Sequence, residues 1–240
     1  DDARVVTEVL AERRFARETP PRLRIGFCAR PGGRPVEAPV RAAVERVARI
    51  LADLGHDVVE CEVPIGGWQE IFGPLVLDDE LRERQHLLQR PELLTRYMLA
   101  TLRAAARQTS ADVARARERL VEFRRRVDRF FEDYSVVLTP TVATVAFPHR
   151  QRPTQIAGED VDWLWGAFPF TAPFNVAATP AISLPAGLAD GLPIGAQLVA
   201  RCGADALLLN VAEELEEALG FDHRPVRERW MAETLAGTPK

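Results

Sequence analysis

Apolar and polar positions alternate through residues 23–29, Leu-Arg-Ile-Gly-Phe-Cys-Ala, and the run ends at Pro31-Gly32-Gly33, the pattern of a strand entering a turn. Val40, Val44, Val47, Leu51 and Leu54 then recur at spacings of four, three, four and three, which predicts a helix with one buried face. Pro39 suits its first turn, where a missing N–H goes unnoticed, and Gly55 suits its stop. Residues 57–63, Asp-Val-Val-Glu-Cys-Glu-Val, predict the next strand. Strand, helix and strand within about 40 residues imply a parallel pair joined by a right-handed crossover.

Residues 66–134 hold no convincing strand. They predict helices broken at Pro74 and Pro91, then a long helix from Thr109-Ser110, with Ser110 as its cap. In the long helix Val113, Ala116, Leu120, Phe123, Val127, Phe130 and Tyr134 form one apolar face. Arg124-Arg125-Arg126 is flanked by Glu118, Glu122, Asp128 and Glu132, so it reads as a solvated face rather than a polyanion site. A strand at 135–138, a loop at 139–160 and an aromatic segment at 161–176 follow. Strands at 180–186 and 193–200 are joined through Ala189-Asp190-Gly191, where Asp-Gly supplies the positive φ of a hairpin turn. A helix from Ala204 to Leu219, stopped by Gly220, precedes a polar tail. With no repeat and no low-complexity linker, residues 1–240 read as a single α/β unit, a mixed β-sheet flanked by helices.

Composition agrees: 240 residues, 47% hydrophobic and 28% charged, describe a globular protein and exclude disordered, collagenous and disulfide-scaffold classes. No apolar run approaches a membrane span, and Asp1-Asp2-Ala3-Arg4 does not open a signal peptide, which predicts a cytoplasmic protein with no membrane partner. All but one of the 31 basic residues are arginine, Lys240 being the exception, and the net charge is −4, so nucleic acid is not expected as a partner. Cys28, Cys61 and Cys202 lie far apart in sequence and read as reduced, buried thiols, without a zinc clip or disulfide framework. The first methionine is Met98, which leads us to expect coding sequence upstream of Asp1.

Candidate chemistry is sparse. A hydrolytic nucleophile needs an activating base, a histidine or a desolvated lysine. Only three serines occur: Ser110 at a helix start, Ser135 at a strand entry and Ser183 within Ala-Ile-Ser-Leu-Pro, none in a Gly-x-Ser-x-Gly elbow. A Ser/His/Asp set assembled from distant positions stays open. His56, His86, His149 and His223 are isolated and read as surface or loop residues, so no metal is expected. Gly32-Gly33 and Gly66-Gly67 fit no phosphate-binding pattern, and no cofactor is implied.

Three passages change this picture. Residues 137–141, Val-Leu-Thr-Pro-Thr, residues 170–187, Phe-Thr-Ala-Pro-Phe-Asn-Val-Ala-Ala-Thr-Pro-Ala-Ile-Ser-Leu-Pro-Ala-Gly, and the run from Asp190-Gly-Leu-Pro-Ile-Gly-Ala-Gln to Leu207 resemble, in this order, the C-terminal half of amidase signature enzymes. Leu23 to Phe27, Val40 to Val44 and Leu54 to Val58 also resemble that family, so the similarity covers residues 25–220. The resemblance implies a partial amidase-signature fold. It also implies an amidase that cleaves a carbon–nitrogen bond with a serine nucleophile, a second serine on a cis peptide and a lysine. Those three groups belong to the family's N-terminal half, and residues 1–11 resemble the helix that follows the family's Gly/Ser-rich signature. No catalytic residue is therefore expected in this chain, and these 240 residues alone are expected to be inactive.

What the resemblance implies here is a substrate-channel wall for a small-molecule amide: Trp165, Phe168, Thr171 and Ala172, with Thr139 and Thr141 at a strand end. Trp165, Phe168 and Ala172 fall at helical spacing, on one face if a helix runs through them; core packing is the competing reading. The family's glutamyl-tRNA amidotransferase A subunit resembles this stretch but carries an aspartate where this chain has Phe168, which favours a stand-alone amidase with an apolar or aryl-bearing substrate. The alternatives are a non-catalytic ligand-binding descendant and that glutamyl-tRNA amidotransferase component. A half-sheet would leave edges uncovered, so self-association, or pairing with an N-terminal half, is expected.

Overall fold

The computed structural model describes residues 2–222 together with Arg224, Glu228, Trp230 and Met231. His223, Lys240 and most of the polar tail lie outside the described residues. Helix α1 (Asp2–Leu10) leads to β1 (Arg24–Phe27), α2 (Ala38–Asp53) and β2 (Asp57–Glu60). Then come α3 (Gln69–Arg84), α4 (Arg96–Ala105), α5 (Ser110–Asp133) and β3 (Val136–Pro140). A two-stranded ribbon, β4 (Gln155–Ile156) and β5 (Glu159–Asp160), precedes α6 (Ala172–Ala177), β6 (Ala181–Ala189), β7 (Leu192–Ala200) and α7 (Asp205–Leu219).

Five strands form one mixed sheet in the order β2-β1-β3-β7-β6. β1 runs parallel to β2 and to β3, whereas β7 is antiparallel to β3 and to β6. Alternation along each strand sorts the apolar residues into two cores. Ile25, Val136, Leu138, Ala196, Leu198 and Ala200 face α2 and α7. Val137 and Val199 face the other way, into a core with Phe123, Val127 and Phe131 of α5 and Phe174 of α6. Asp190 (φ 51) and Gly191 (φ 76) both take positive φ at the β6–β7 turn, which matches the strand twist.

Several boundaries differ from the sequence expectation. α3 is continuous through Pro74, because it is held by packing against α4 and α5, and Gln108 Nε2 donates to the Pro74 carbonyl at 2.9 Å. Thr109, not Ser110, caps α5 in a capping box with Asp112: Asp112 N donates to Thr109 Oγ1 and Thr109 N to Asp112 Oδ2. Phe131 rather than Phe130 or Tyr134 is the deeply buried aromatic at the end of α5. Arg124 and Arg126 are exposed but do more than face water, donating to the carbonyls of Val176 and of Pro64 and Gly66.

Two further readings are corrected. His56 is buried: its Nδ1 accepts from Leu23 N at 3.3 Å and its Nε2 lies 3.1 Å from Glu214 Oε2. That pattern fits the Nε2–H tautomer and makes the ring a tie between the start of β1 and α7. Of the three thiols, only Cys28 is buried; Cys61 is half-buried and Cys202 exposed. Among the described residues no helix is long and apolar enough to cross a membrane.

Candidate functional site

Side chains at matched positions of neighbouring strands share one side of a sheet. Thr139 of β3 is matched with Gln197 of β7, and Gln197 with Ser183 of β6, so these three polar groups form a row on the side that carries Val137 and Val199. Gln197 is 3% exposed. Its Nε2 donates to Thr139 Oγ1 at 3.1 Å and to the Phe170 carbonyl at 3.2 Å. A buried amide without partners is costly, so these bonds fix its orientation and tie the segment before α6 to the sheet.

Thr141 leaves β3 just beyond Pro140, held by its N–H donating to the Gly195 carbonyl at 3.3 Å. Its Oγ1 lies 2.6 Å from Ser183 Oγ. Gly195 makes room for this hydroxyl pair, since a Cβ there would sit 2.8 Å from Thr141 Oγ1 and 2.9 Å from Ser183 Oγ. β6 is the edge strand on this side of the sheet, and Ser183 is exposed on it. The result is a strip of hydroxyl and amide groups, sealed at β3 and open at β6. Ser183 also enters the lining of a cleft of about 240 Å³ between α1, β6 and α7.

The six residues expected from sequence divide into three places. Thr139 and Thr141 belong to the strip. Thr171 and Ala172 open α6; the Thr171 carbonyl accepts from Phe174 N, its side chain makes no cap, and Ala172 is buried in the second core. Trp165 packs edge-on against Trp68 and Phe72, with ring centroids 5.0 Å and 5.3 Å away. Phe168 keeps different company, Phe147 at 5.9 Å and the Arg152 guanidinium at 5.8 Å.

No helix runs through Trp165, Phe168 and Ala172, so the one-face expectation does not hold. The Asp162 carboxylate accepts from Leu164 N at 2.9 Å and Trp165 N at 2.7 Å, folding a local turn, and Pro169 has no N–H to continue a helix. Sequence reasoning passed over Gln197 and saw Ser183 only as a mid-strand residue. The available signal was a lone amide inside the apolar run Ile-Gly-Ala-Gln-Leu-Val-Ala.

Chemically the strip can donate and accept hydrogen bonds but holds no strong base. Among the described residues no group of three or more His, Cys, Asp or Glu is placed to hold a metal ion. Ser183 has a hydroxyl, Thr141, as its close partner, and a hydroxyl does not activate a nucleophile.

Comparison with known proteins bears on the chain as a whole. The amidase family model matches residues 1–209. The putative amidase AmiC of Mycobacterium tuberculosis is 38% identical over 209 residues, covering 82% of this chain and 43% of that protein. In Caldanaerobacter subterraneus, the A component of the glutamyl-tRNA(Gln) amidotransferase is 27% identical over 229 residues, 85% of this chain and 46% of that one. A crystal structure described as an amidase superposes with a TM-score of 0.82 at 24% identity, covering 90% of this chain and 50% of that chain, a likeness of fold. The chain thus spans about half the length of the curated relatives it matches.

Proposed function

We propose, from the premise that this chain belongs to the amidase signature family, that it is the C-terminal portion of an amidase acting on a carbon–nitrogen bond. The observation that carries this reading is the family match across residues 1–209, joined by a fold shared with solved amidases. In the complete enzyme, as the family resemblance implies, a serine attacks the amide carbonyl and backbone N–H groups stabilise the oxyanion. The amine departs, and water then hydrolyses the acyl-enzyme. The nucleophile, the second serine and the lysine are supplied by sequence outside these 240 residues. This chain contributes one wall of the substrate site, the strip of Thr139, Thr141, Gln197 and Ser183, with Trp165, Phe168 and Thr171 as further lining from the segment before α6, while Ala172 packs in the core beneath it.

The substrate is an apolar or aryl-bearing amide rather than glutamine. The Arg152 guanidinium lies over the Phe168 ring at 5.8 Å, where its positive charge repels the ammonium group of glutamine, and Phe168 brings no carboxylate to offset it. A complete protein that hydrolysed glutamine and ignored arylalkyl amides would refute this preference.

The partner of this chain is the polypeptide that carries the catalytic groups, seated on β6 and α1. Purified as 240 residues and offered a panel of simple aryl and arylalkyl amides, the chain is expected to show no turnover above the buffer blank. Turnover that disappears in Ser183→Ala would overturn the assignment of the nucleophile to another segment.

A further inference from the structure

Two cysteines stand side by side at one end of the sheet and take no part in the chemistry proposed above. Cys28 and Cys61 each lie one position beyond the matched pair Phe27 and Glu60 of β1 and β2. Parallel bonding continues through them, with Cys61 N donating to the Phe27 carbonyl at 2.9 Å and Cys28 N to the Leu138 carbonyl at 3.0 Å. Neighbouring strands lie about 4.8 Å apart, inside the range of about 4.4–6.8 Å between Cα atoms that a disulfide spans. Both side chains point to the same side of the sheet, Cys28 within the second core and Cys61 packed against it. The Cys61 sulfur leans across β1: a Cβ on Gly26, two residues before Cys28 and on the same side, would sit 2.8 Å from it.

We infer that Cys28 and Cys61 form a dithiol modification site that closes to a cross-strand disulfide when a hydroperoxide is present. Half-buried Cys61 is the sulfur a small oxidant reaches, and buried Cys28 resolves the intermediate. The Cys61 thiolate attacks one peroxide oxygen and breaks the O–O bond, and the other oxygen leaves and takes a proton as alcohol or water. The sulfenic acid on Cys61 is then attacked by the Cys28 sulfur; the S–S bond forms, the S–O bond breaks, and the hydroxyl leaves as water with the Cys28 proton. Two thiols lose two electrons and one hydroperoxide is reduced. Burial first, then the neighbouring Cys28 and Glu62, push the Cys61 thiol up to about 12, so closure is slow at neutral pH and quickens under alkaline conditions.

The test is hydrogen peroxide treatment of the purified chain at neutral and at alkaline pH, alkylation of remaining thiols, and tryptic peptide mass spectrometry. Trypsin separates Cys28 from Cys61, because several arginines lie between them. The expected product is a linked Cys28–Cys61 peptide pair lacking two hydrogens. The thiolate fraction of so high a thiol rises about tenfold per pH unit, so the link should form about a hundredfold faster at pH near 9 than near 7, and dithiothreitol should reverse it. Cys202→Ser is expected to keep the link and Cys61→Ser to lose it. Cys28 and Cys61 both alkylated after Cys202 has been consumed, or Cys61 converted to a sulfinic acid beside a free Cys28, would overturn the inference. The wild-type and Cys202→Ser digests decide the matter even if a substitution in the core prevents folding.

Discussion

Gly195 sets the geometry of the strip by having no side chain. Gly195→Ala would force a methyl group into the space of the Thr141 and Ser183 oxygens, and overpacking of this kind costs about 1–3 kcal/mol. Urea unfolding should show that loss, and Ser183→Ala added to Gly195→Ala should recover part of it by removing one of the two clashes. A double variant no more stable than Gly195→Ala would argue that the pair is not what the glycine accommodates. At this scale the sequence is half legible. Thr139 and Thr141 can be read from their place at a strand end, but Gln197 and Ser183 gain meaning only once three strands are in register. His56 is misread for the same reason, its partners Leu23 and Glu214 being 33 and 158 residues away.

Elements whose ends carry their own signals are the readable ones. The β6–β7 turn and the stop of α7 at Gly220 (φ 53) follow from residues that tolerate positive φ. α3 and the 161–171 segment are not readable, because tertiary packing carries the one past Pro74 and the Asp162 turn diverts the other from helix. α1 is held differently again, by two buried polar side chains, Glu8, which accepts from Phe15 N at 3.0 Å, and Arg4. Arg4 is 3% exposed; it donates to Glu213 through Nε and Nη2 at 2.8 Å, to Asn210 at 2.6 Å and to the Phe15 carbonyl at 3.2 Å.

Arg4→Met should cost about 2–4 kcal/mol at neutral pH, read from chemical denaturation. The Arg4 hydrogen bonds hold the Glu213 carboxyl below its usual range. The stability from that depression is therefore complete above the unfolded carboxylate value and is lost as pH falls through the lowered one. The gap between wild type and Arg4→Met should accordingly narrow on acidification, and a gap that widened would contradict the pairing.

In the whole molecule the exposed apolar surface is unevenly spread. Val5, Val6, Val9 and Leu10 of α1 are 54%, 57%, 70% and 81% exposed, and β6, with which α1 shares a cleft, has one strand partner among the described residues. An apolar helix face beside an open strand edge favours association. Light scattering of the purified chain is expected to show species larger than a monomer, and Val9→Glu with Leu10→Glu should shift them toward monomer. A monodisperse wild-type monomer would remove the support for a partner on this face. The parallel β1–β2 pair and the β6–β7 hairpin are both legible in sequence because each is built locally. The insertion of β3 between β1 and β7 is not, because that choice joins segments with no local pattern in common.

The central place of β3 also bears on how the chain is made. Ile25 of β1 has Val136 as its inner neighbour, and the ribosome delivers that residue only after a long helical stretch has been added. Counted from the end of β2 at Glu60, a delay of about 75 residues at cellular elongation speeds lasts roughly 4–15 s. Throughout that interval the nascent β1–β2 pair displays an unsatisfied border, which makes it a natural client for a chaperone waiting at the exit tunnel.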